Sequence, residues 1–141
     1  MGAKITVIIP IFNGEKHIKK TLNSLFNQTF GFENIEVIIV DDCSTDNTAK
    51  ILKDYENKYE NIKCFFLEKN NGTPGKGRNI GIQNASTDYI MFLDSDDEFA
   101  LDMCEVMYST ITNENVDFVF WLKLTMHLRV KPVCINKLSF A

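Results

Sequence analysis

The sequence predicts an α/β fold in three layers, with helices on both faces of a mostly parallel β-sheet. Short apolar segments alternate along the chain with segments whose apolar residues recur at the helical period. Segments 4–9 and 35–40 carry apolar residues on both faces of the predicted strands, which is typical of strands buried in a parallel sheet. This alternation favours right-handed crossovers, which place the helices on either side of the sheet.

Five strands are predicted from the apolar segments. They lie at residues 4–9, 35–40, 62–67, 89–93 and 116–121. Pro10 has no backbone N–H, so we expect it to end the ladder of the first strand. Asn13 and Gly14 then form a turn signal before the first helix. An additional strand is predicted at 122–130, where apolar and polar residues alternate.

Four helices are predicted between the strands. The first begins at about Glu15, and the fourth begins near Ala100. The second has N-cap candidates at 44–46, and the third follows the glycine-rich segment 70–77. The apolar stripes of the first, second and fourth helices are Ile18, Leu22 and Leu25; Ile51, Leu52, Tyr55 and Tyr59; and Leu101, Cys104, Met107 and Ile111.

Size and charge indicate one globular domain without an obvious nucleic-acid partner. The chain has 141 residues, of which 45% are hydrophobic and 24% charged, and its net charge is −4. Residues 118–141 contain basic side chains and no acid. Such a stretch is usually a solvated face, and it is also compatible with a membrane surface or a protein partner. An exposed sheet edge would in addition favour a homo-oligomer.

The cysteines indicate the compartment. Cys43, Cys64, Cys104 and Cys134 have neither close pairing nor zinc-like spacing. Since the chain shows no signal peptide, we expect reduced thiols in a cytoplasmic protein, with peripheral contact at the inner face of the membrane as the further option.

Polar clusters follow the first four predicted strands, at residues 10–15, 41–42, 68–78 and 94–97. Parallel α/β sheets bind ligands in the crevice beyond the carboxyl ends of their strands, so these clusters predict one site. In an extended segment Asp94 and Asp96 would point the same way and attract Mg²⁺ or Mn²⁺. Helix capping is one alternative, and an EF-hand is disfavoured because Phe99 occupies the position that needs glycine.

Two further clusters offer groups for a nucleotide. Asp42 is the better candidate to accept hydrogen bonds from a base or ribose, whereas helix capping is an equal alternative for Asp41. Segment 71–78 combines glycines, two cations and a helix start, which suits phosphate. It is not a P-loop, because no Ser or Thr follows the Gly-Lys pair, and its glycine spacing makes a weak dinucleotide fingerprint.

Four motifs in this order resemble family 2 glycosyltransferases, enzymes of the GT-A fold that use nucleotide sugars. The motifs are Val-Ile-Ile-Pro-Ile-Phe-Asn at 7–13, Val-Asp-Asp-Cys-Ser-Thr-Asp at 40–46, Gly-Arg-Asn-Ile-Gly at 77–81, and Phe-Leu-Asp-Ser-Asp-Asp at 92–97. The resemblance extends from about Lys4 to Trp121. It implies a nucleotide-sugar-binding domain over residues 1–121, followed by a basic, atypical segment at 122–141.

The resemblance implies roles for individual residues on the base side of the site. Pro10 and Phe12 would line the base pocket. Asp42 would recognise the base, which in this family is often uracil. Glu15 would contact the nucleotide or, equally, support the first helix turn.

On the phosphate side, Arg78, together with Lys76, would face the diphosphate or, as the alternative, order the start of the third helix. Asp94, Ser95 and Asp96 match the DxD motif of the family, with Asp94 near the ribose and Asp96 on the metal. The implied cofactor is Mn²⁺ or Mg²⁺, to which Asp94 is the second candidate ligand.

The implied reaction is an inverting displacement at the anomeric carbon by a hydroxyl of a glycan, lipid-linked or other acceptor. A carboxylate base would take the acceptor proton. That base normally lies well downstream of DxD, and only residues 98–141 follow here, without a matching motif. His127 is a weak candidate. We therefore expect a GT-A domain that is incomplete at its C-terminus, and a non-catalytic nucleotide-sugar-binding module is the alternative.

Overall fold

The computed structural model describes residues 2–120 and 133–137 of the chain. Its strands are β1 (Ile5–Ile11), β2 (Ile35–Asp41), β3 (Ile62–Phe66), β4 (Tyr89–Phe92), β5 (Phe118–Phe120) and β6 (Val133–Asn136). Its helices are α1 (Ile18–Phe26), α2 (Thr48–Lys58), α3 (Pro74–Asn84) and α4 (Met103–Asn113). The first and fourth helices thus begin about three residues later than the sequence predicts. Among the described residues, no helix is long and apolar enough to cross a membrane.

The strands form one six-stranded sheet in the order β3-β2-β1-β4-β6-β5. Strands β1 to β4 are mutually parallel, and β6 runs antiparallel to both of its neighbours. This arrangement confirms the predicted mostly parallel sheet. We call the side where β1 to β4 begin the amino edge, and the side where they end the carboxyl edge.

Both faces of the sheet are covered, which confirms the three layers. Every residue of β1 and β2 is buried. Alternate side chains enter two separate apolar clusters: Ile9 packs with α1, α2 and α4 side chains, whereas Ile8 packs with side chains of α3. The consecutive apolar residues of these strands are therefore explained by burial on two faces.

Pro10 does not end β1, contrary to expectation. Leu93 donates its N–H to the Ile8 carbonyl, so the even-numbered backbone groups of β1 face β4. Asp42 donates to the Ile11 carbonyl, so the odd-numbered groups face β2. The missing N–H of Pro10 consequently stops only the pairing with β4, while pairing with β2 continues to the end of β1.

Strand β6 was not predicted at its position. Residues 133–136 lie between β4 and β5 in the sheet, so the segment after residue 121 contributes a strand to its interior. The strand predicted at 122–130, together with His127, lies outside the described residues. A four-residue strand gives too short a pattern for its periodicity to be recognised.

The amino edge contains a buried acid with a complete set of partners. Glu36 is 4% exposed and accepts hydrogen bonds from Thr6 Oγ1 at 2.6 Å, Lys63 Nζ at 2.7 Å, and both the N–H and hydroxyl of Ser86. Burial alone would raise the pKa of Glu36, but the Lys63 ammonium and the other donors outweigh it and lower the pKa. The cluster binds the starts of three strands together.

All four cysteines are free thiols. Cys104 and Cys134 are buried, and burial raises the pKa of each thiol to about 12. The pKa of the Cys64 thiol is also raised to about 12, chiefly by burial and further by the negative charges of Glu56 and Asp41. Thiols with such pKa values are poor nucleophiles at neutral pH, so these three cysteines serve packing rather than chemistry.

Candidate functional site

The predicted polar clusters gather along the carboxyl edge, because each of them follows one of the parallel strands β1 to β4. Strand β1 lies between β2 and β4. The ends of β2 and β4 are therefore two strand spacings apart, about 10 Å. Asp42 and the 94–97 segment accordingly lie on the same edge of the molecule, as a shared site requires.

Hydrogen bonds join the loop after β1 to the loop after β2. Asn13 donates its N–H to Ser44 Oγ at 2.8 Å, and its side-chain oxygen accepts the N–H of Thr45 at 2.8 Å. Gly14 donates to Thr48 Oγ1 at 2.9 Å. Asn13 has φ +49°, a left-handed conformation that asparagine tolerates better than most residues. The two loops therefore act as one support.

Glu15 belongs to this support. Its carboxylate accepts the N–H of Asn47 at 2.9 Å, and its own N–H donates to Asp46 at 3.3 Å. Both partners lie in the loop before α2. Glu15 thus contributes to loop structure, and its contact with a nucleotide stays a prediction.

A cavity of about 260 Å³ opens beside these loops. Three residues assigned to the base side by resemblance, Pro10, Phe12 and Asp42, line it. Phe12 is 49% exposed, so its ring is available to a ligand. The remaining lining residues are Ile11, Val40, Asn70, Gly72, Thr73, Pro74 and Gly77. An apolar wall with one carboxylate suits a flat heterocycle that donates an N–H.

Close packing of α3 brings its first turn to this cavity. A Cβ on Gly77 would lie 3.2 Å from the Pro10 Cβ, and one on Gly81 would overlap the Ile8 side chain. The glycines at these two positions let the helix lie directly against β1. The third helix therefore presents Lys76 and Arg78 at the carboxyl edge.

Asp42 is held by Asn71, a residue that we did not single out from the sequence. The carboxylate of Asp42 accepts the backbone N–H of Asn71 at 3.0 Å and its side-chain amide at 2.7 Å. Burial would raise the pKa of Asp42, but these bonds, the Gly72 N–H and the Lys76 charge lower it. Asp42 is therefore an ionised acceptor. The Asn71-Gly72 pair, a common turn signal, was the only hint of this role in the sequence.

Lys76 is linked to the same group. Its ammonium donates to the side-chain oxygen of Asn71 at 3.1 Å. Asp41, in contrast, is 2% exposed and accepts the N–H and hydroxyl of Ser44. Asp41 thus holds the loop after β2 and does not cap α2, which begins at Thr48, so the capping alternative was wrong. Asp42 is the acid that lines the cavity.

Arg78 and Asp94 form an ion pair, with 2.8 Å between the guanidinium nitrogen and the carboxylate oxygen. The side chains are 34% and 40% exposed, so a ligand can reach both. The guanidinium also lies 5.9 Å from the centre of the Phe92 ring. The pair places a cation next to the first acid of the DxD segment.

The DxD segment is a turn rather than an extension of β4. The strand ends at Phe92, and Asp97 donates its N–H to the carbonyl of Asp94 at 3.0 Å. The expectation that Asp94 and Asp96 share a strand face was therefore wrong, because the alternation rule does not apply within a turn. Their relative placement is set by the turn.

The donor chemistry of the turn fits a hard divalent cation. Carboxylate oxygens of Asp94 and Asp96 are the ligands that Mg²⁺ and Mn²⁺ prefer, and the Asp96 side chain is exposed. Within residues 2–120 and 133–137, no three acidic, histidine or cysteine side chains gather as a metal cluster. A cation held here would take its other ligands from a diphosphate and water, as is usual for Mg²⁺ with nucleotides.

Ser95 lies between these acids and against the first loop. Its carbonyl accepts the hydroxyl of Thr21 at 2.8 Å. Its side-chain oxygen lies 3.7 Å from the position that a Cβ on Gly14 would occupy. The site thus combines an apolar cavity, an ionised acceptor, two cations, the half-buried Asp94 and the exposed Asp96 along one edge.

Comparisons with known proteins agree with this geometry. A 48% identical segment of 94 residues is shared with the poly(ribitol-phosphate) β-N-acetylglucosaminyltransferase TarS of Staphylococcus aureus, and it covers 67% of this chain and 16% of that protein. The structure of S. aureus TarS 1-349 in complex with UDP-GlcNAc superposes with a TM-score of 0.80 at 38% identity, covering 90% of this chain and 36% of the other.

A more distant neighbour shows the fold alone. The mannosyltransferase PcManGT from Pyrobaculum calidifontis, in complex with GDP-Man and Mn²⁺, has a TM-score of 0.82 at 17% identity, over 96% of this chain and 45% of that one. These neighbours and the observed sheet establish a GT-A type fold. The sequence profile of glycosyl transferase family 2 matches residues 6–121, and the chain therefore belongs to that family.

Proposed function

We propose that this chain carries the donor site of a metal-dependent glycosyltransferase that uses a UDP-sugar. The observation that carries the proposal is the common edge: Asp42 lines an apolar cavity after β2, and Asp94 and Asp96 follow β4, whose end lies two strand spacings, about 10 Å, from the end of β2. That distance suits a nucleoside diphosphate lying along the edge, with its base in the cavity and its phosphates beside the DxD turn.

The state of Asp42 supports a base with a ring N–H. An ionised carboxylate can only accept hydrogen bonds, and Asn71 keeps the pKa of Asp42 low. Uracil and guanine offer such an N–H, whereas N3 of cytosine and N1 of adenine are acceptors. The likeness to TarS in complex with UDP, at 38% identity, favours uracil over guanine.

The remaining groups suit the diphosphate and the sugar. Asp96 would hold Mn²⁺ or Mg²⁺, and Asp94 would lie towards the ribose and serve as the second candidate ligand. When bound, the cation supplies positive charge that stabilises the departing diphosphate. Arg78, which pairs with Asp94, supplies further positive charge on the same side, whereas Lys76 bonds to Asn71 beside Asp42 and would supply its charge from there.

The proposed reaction is a single displacement with inversion. The bond from the anomeric carbon to the diphosphate oxygen breaks as the acceptor oxygen bonds to that carbon from the opposite face, and a general base takes the acceptor proton. The β-linkage in the name of TarS supports inversion, because UDP-GlcNAc carries its sugar in the α configuration. We assign the base to no residue of this chain.

The acceptor is proposed as a hydroxyl of a cell-surface polymer, since TarS is named for transfer to poly(ribitol-phosphate). We further propose that the protein acts on the cytoplasmic side of the membrane. The acid-free stretch from Phe118 onward would suit a negatively charged membrane surface or polymer.

Thermal unfolding with added ligand tests the donor site. UDP with Mn²⁺ at one hundred times its Kd should stabilise the chain by about 2.7 kcal/mol, whereas CDP should have much less effect. Asp96→Asn should remove the metal-dependent part of that gain. Glu98→Gln is the matched control, because Glu98 is an exposed acid paired with Lys20 nearby, and it should leave the gain intact.

Turnover separates the enzyme from the binding-module alternative. Release of UDP from UDP-GlcNAc, measured with and without polyol-phosphate acceptors, should exceed the rate for Asp96→Asn. Binding without any release would favour the non-catalytic alternative. No shift with any nucleoside diphosphate would contradict both.

A further inference from the structure

One face of α1 is polar where the rest of its buried surface is apolar. Thr21 lies three residues after Ile18 and four before Leu25, both of which are completely buried, and it is itself only 1% exposed. Ser24 continues this face at the helical spacing, and Gln28 follows directly after the end of α1, where its amide donates to the Ser24 carbonyl. We call Thr21, Ser24 and Gln28 the α1 polar face.

The α1 polar face contacts the backbone of the segment that connects β4 to α4. The Thr21 hydroxyl donates to the Ser95 carbonyl at 2.8 Å, and Ser24 Oγ accepts the N–H of Phe99 at 3.1 Å. These two bonds hold the DxD turn and the residues directly after it.

Gln28 holds the end of the same segment. Its amide nitrogen donates to the Ala100 carbonyl at 2.7 Å, and its amide oxygen accepts the N–H of Cys104 at 2.9 Å. Asp102, the residue before α4, makes no side-chain cap hydrogen bond of its own. Gln28, from the segment directly after α1, therefore satisfies a backbone N–H in the first turn of α4.

These bonds matter because the segment has no regular structure to fix it. Residues 93–102 lie between β4 and α4, so their backbone groups need partners from elsewhere. Thr21 bonds to the carbonyl of Ser95, which stands between the two DxD acids. A rotation of that peptide would turn Asp94 and Asp96 relative to each other.

We propose that Thr21 is a positioning residue for the divalent cation, and that the α1 polar face holds the DxD turn in the conformation that binds it. The inference rests on the proposed function of the same site. Thr21 is 1% exposed and acts through the Ser95 carbonyl, so its effect on the cation is indirect.

Titration of Mn²⁺ tests the proposal without an activity assay. Free Mn²⁺ is measured by electron paramagnetic resonance in the presence of saturating UDP, and UDP affinity is measured by calorimetry in EDTA. Thr21→Val, which keeps the shape but lacks the hydroxyl, should weaken Mn²⁺ binding about tenfold. The metal-free UDP affinity should stay within about twofold, because Asp42 and the cavity are not touched. Thr21→Ser keeps the hydroxyl and should restore Mn²⁺ binding.

Thr6→Val is the matched control. Like Thr21, Thr6 is a buried threonine whose hydroxyl donates a hydrogen bond. Its acceptor is the Glu36 carboxylate at the amino edge, away from the DxD turn. Thr6→Val should lower the melting temperature and leave Mn²⁺ affinity unchanged. Equal Mn²⁺ affinity in wild type and Thr21→Val, or a parallel loss in Thr6→Val, would overturn the proposal.

The outcomes also separate this inference from the proposed function. If wild type binds UDP and Mn²⁺ while Thr21→Val does so equally well, the inference fails and the donor site stands. If wild type binds neither, both fail. Loss of metal-free UDP binding in Thr21→Val, with Mn²⁺ affinity no more affected than UDP affinity, would show a general structural role and would also overturn the inference.

Discussion

Glu36 at the amino edge and Asp96 at the carboxyl edge are both acids beside buried parallel strands, yet their surroundings differ. Glu36 is 4% exposed and bonds to Thr6, Lys63 and Ser86. Asp96 is exposed, in a turn that its neighbours rather than its own side chain hold in place. The first acid is satisfied by its own chain, whereas the second is available to a ligand.

The surroundings of Asp42 are intermediate between those of Glu36 and those of Asp96. Asn71 satisfies part of the Asp42 carboxylate, and the rest faces the cavity. An acid that is fixed and ionised before a ligand arrives needs no reorganisation when the ligand binds. The comparison therefore distinguishes an acid that stabilises the fold, an acid fixed and ionised beside the cavity that we propose recognises the base, and an exposed acid that we propose binds the cation.

Removal of Glu36 should have the largest effect on stability. Glu36→Ala empties a buried position and removes the acceptor of the buried Thr6 hydroxyl and of the exposed Ser86, which should cost about 3 kcal/mol of unfolding free energy. Lys63 is half-exposed and can turn to water, so it adds little. Urea unfolding measures the loss.

The same variant should retain UDP affinity, measured by calorimetry under conditions where it is folded. If the unfolding free energy of Glu36→Ala is lower than that of wild type by less than about 0.5 kcal/mol, the range of ordinary surface substitutions, the structural role of Glu36 is contradicted. Weakened UDP binding by folded protein would show that the two edges are coupled.

Asp42 should show the opposite pattern. Asp42→Asn removes the charge that accepts the base N–H and should weaken UDP binding by about 2 kcal/mol, roughly thirtyfold. Its unfolding free energy should change by less than about 1 kcal/mol, since an amide oxygen can still accept the Asn71 N–H.

Asp46→Asn is the control for Asp42→Asn. Hydrogen bonds, against the opposing effect of burial, lower the pKa of Asp46 as well, but Asp46 bonds to Thr48 and Glu15 outside the cavity lining. It should change stability slightly and UDP affinity not at all. Equal UDP affinity in wild type and Asp42→Asn would contradict the proposal that the base binds in the cavity beside Asp42.

The amino-acid pattern was sufficient to predict strands β1 to β5 and the common edge, but not β6 or the contacts that shape the site. Strands β1 to β4 follow from apolar residues on two faces, and their parallel order places Asp42 and Asp94 on one edge. The persistence of β1 through Pro10 depends on which neighbour its missing N–H faces, which only the register reveals.

Other residues were missed because their partners are distant in the chain. Asn71 and Thr21 act on residues 29 and 74 positions away, and no local period records such contacts. Thr21 did carry one local signal, a polar residue on the apolar face of a predicted helix. The turn at Asp94 was hidden by the apolar residues before it, which favoured a longer strand.

The ion pair of Arg78 and Asp94 should contribute more to binding than to stability. Both side chains are about a third or more exposed, so Arg78→Gln should cost less than about 1 kcal/mol of unfolding free energy. UDP affinity should fall about fivefold, because a charged hydrogen-bond donor to phosphate is lost. Lys53→Gln, which removes a cation over the Phe66 ring, is the control and should leave UDP affinity unchanged.

The contribution of Glu36 to the pH dependence of the unfolding free energy is the smallest predicted effect. It tests the amino edge alone, because the acids of the carboxyl edge are unchanged in the comparison. The pKa of Glu36 in the folded chain lies below the ordinary value of 4.5, so its ionised form stabilises the fold above that pH. This contribution should be lost as the pH falls through the folded pKa, where the protonated carboxyl comes to resemble a glutamine. Urea unfolding of wild type and Glu36→Gln should therefore differ at neutral pH and converge in acid. Asp42 and Asp46 titrate in both proteins and cancel in that difference, so a gap that stays constant or widens in acid would mean that Glu36 is not the stabilising acid.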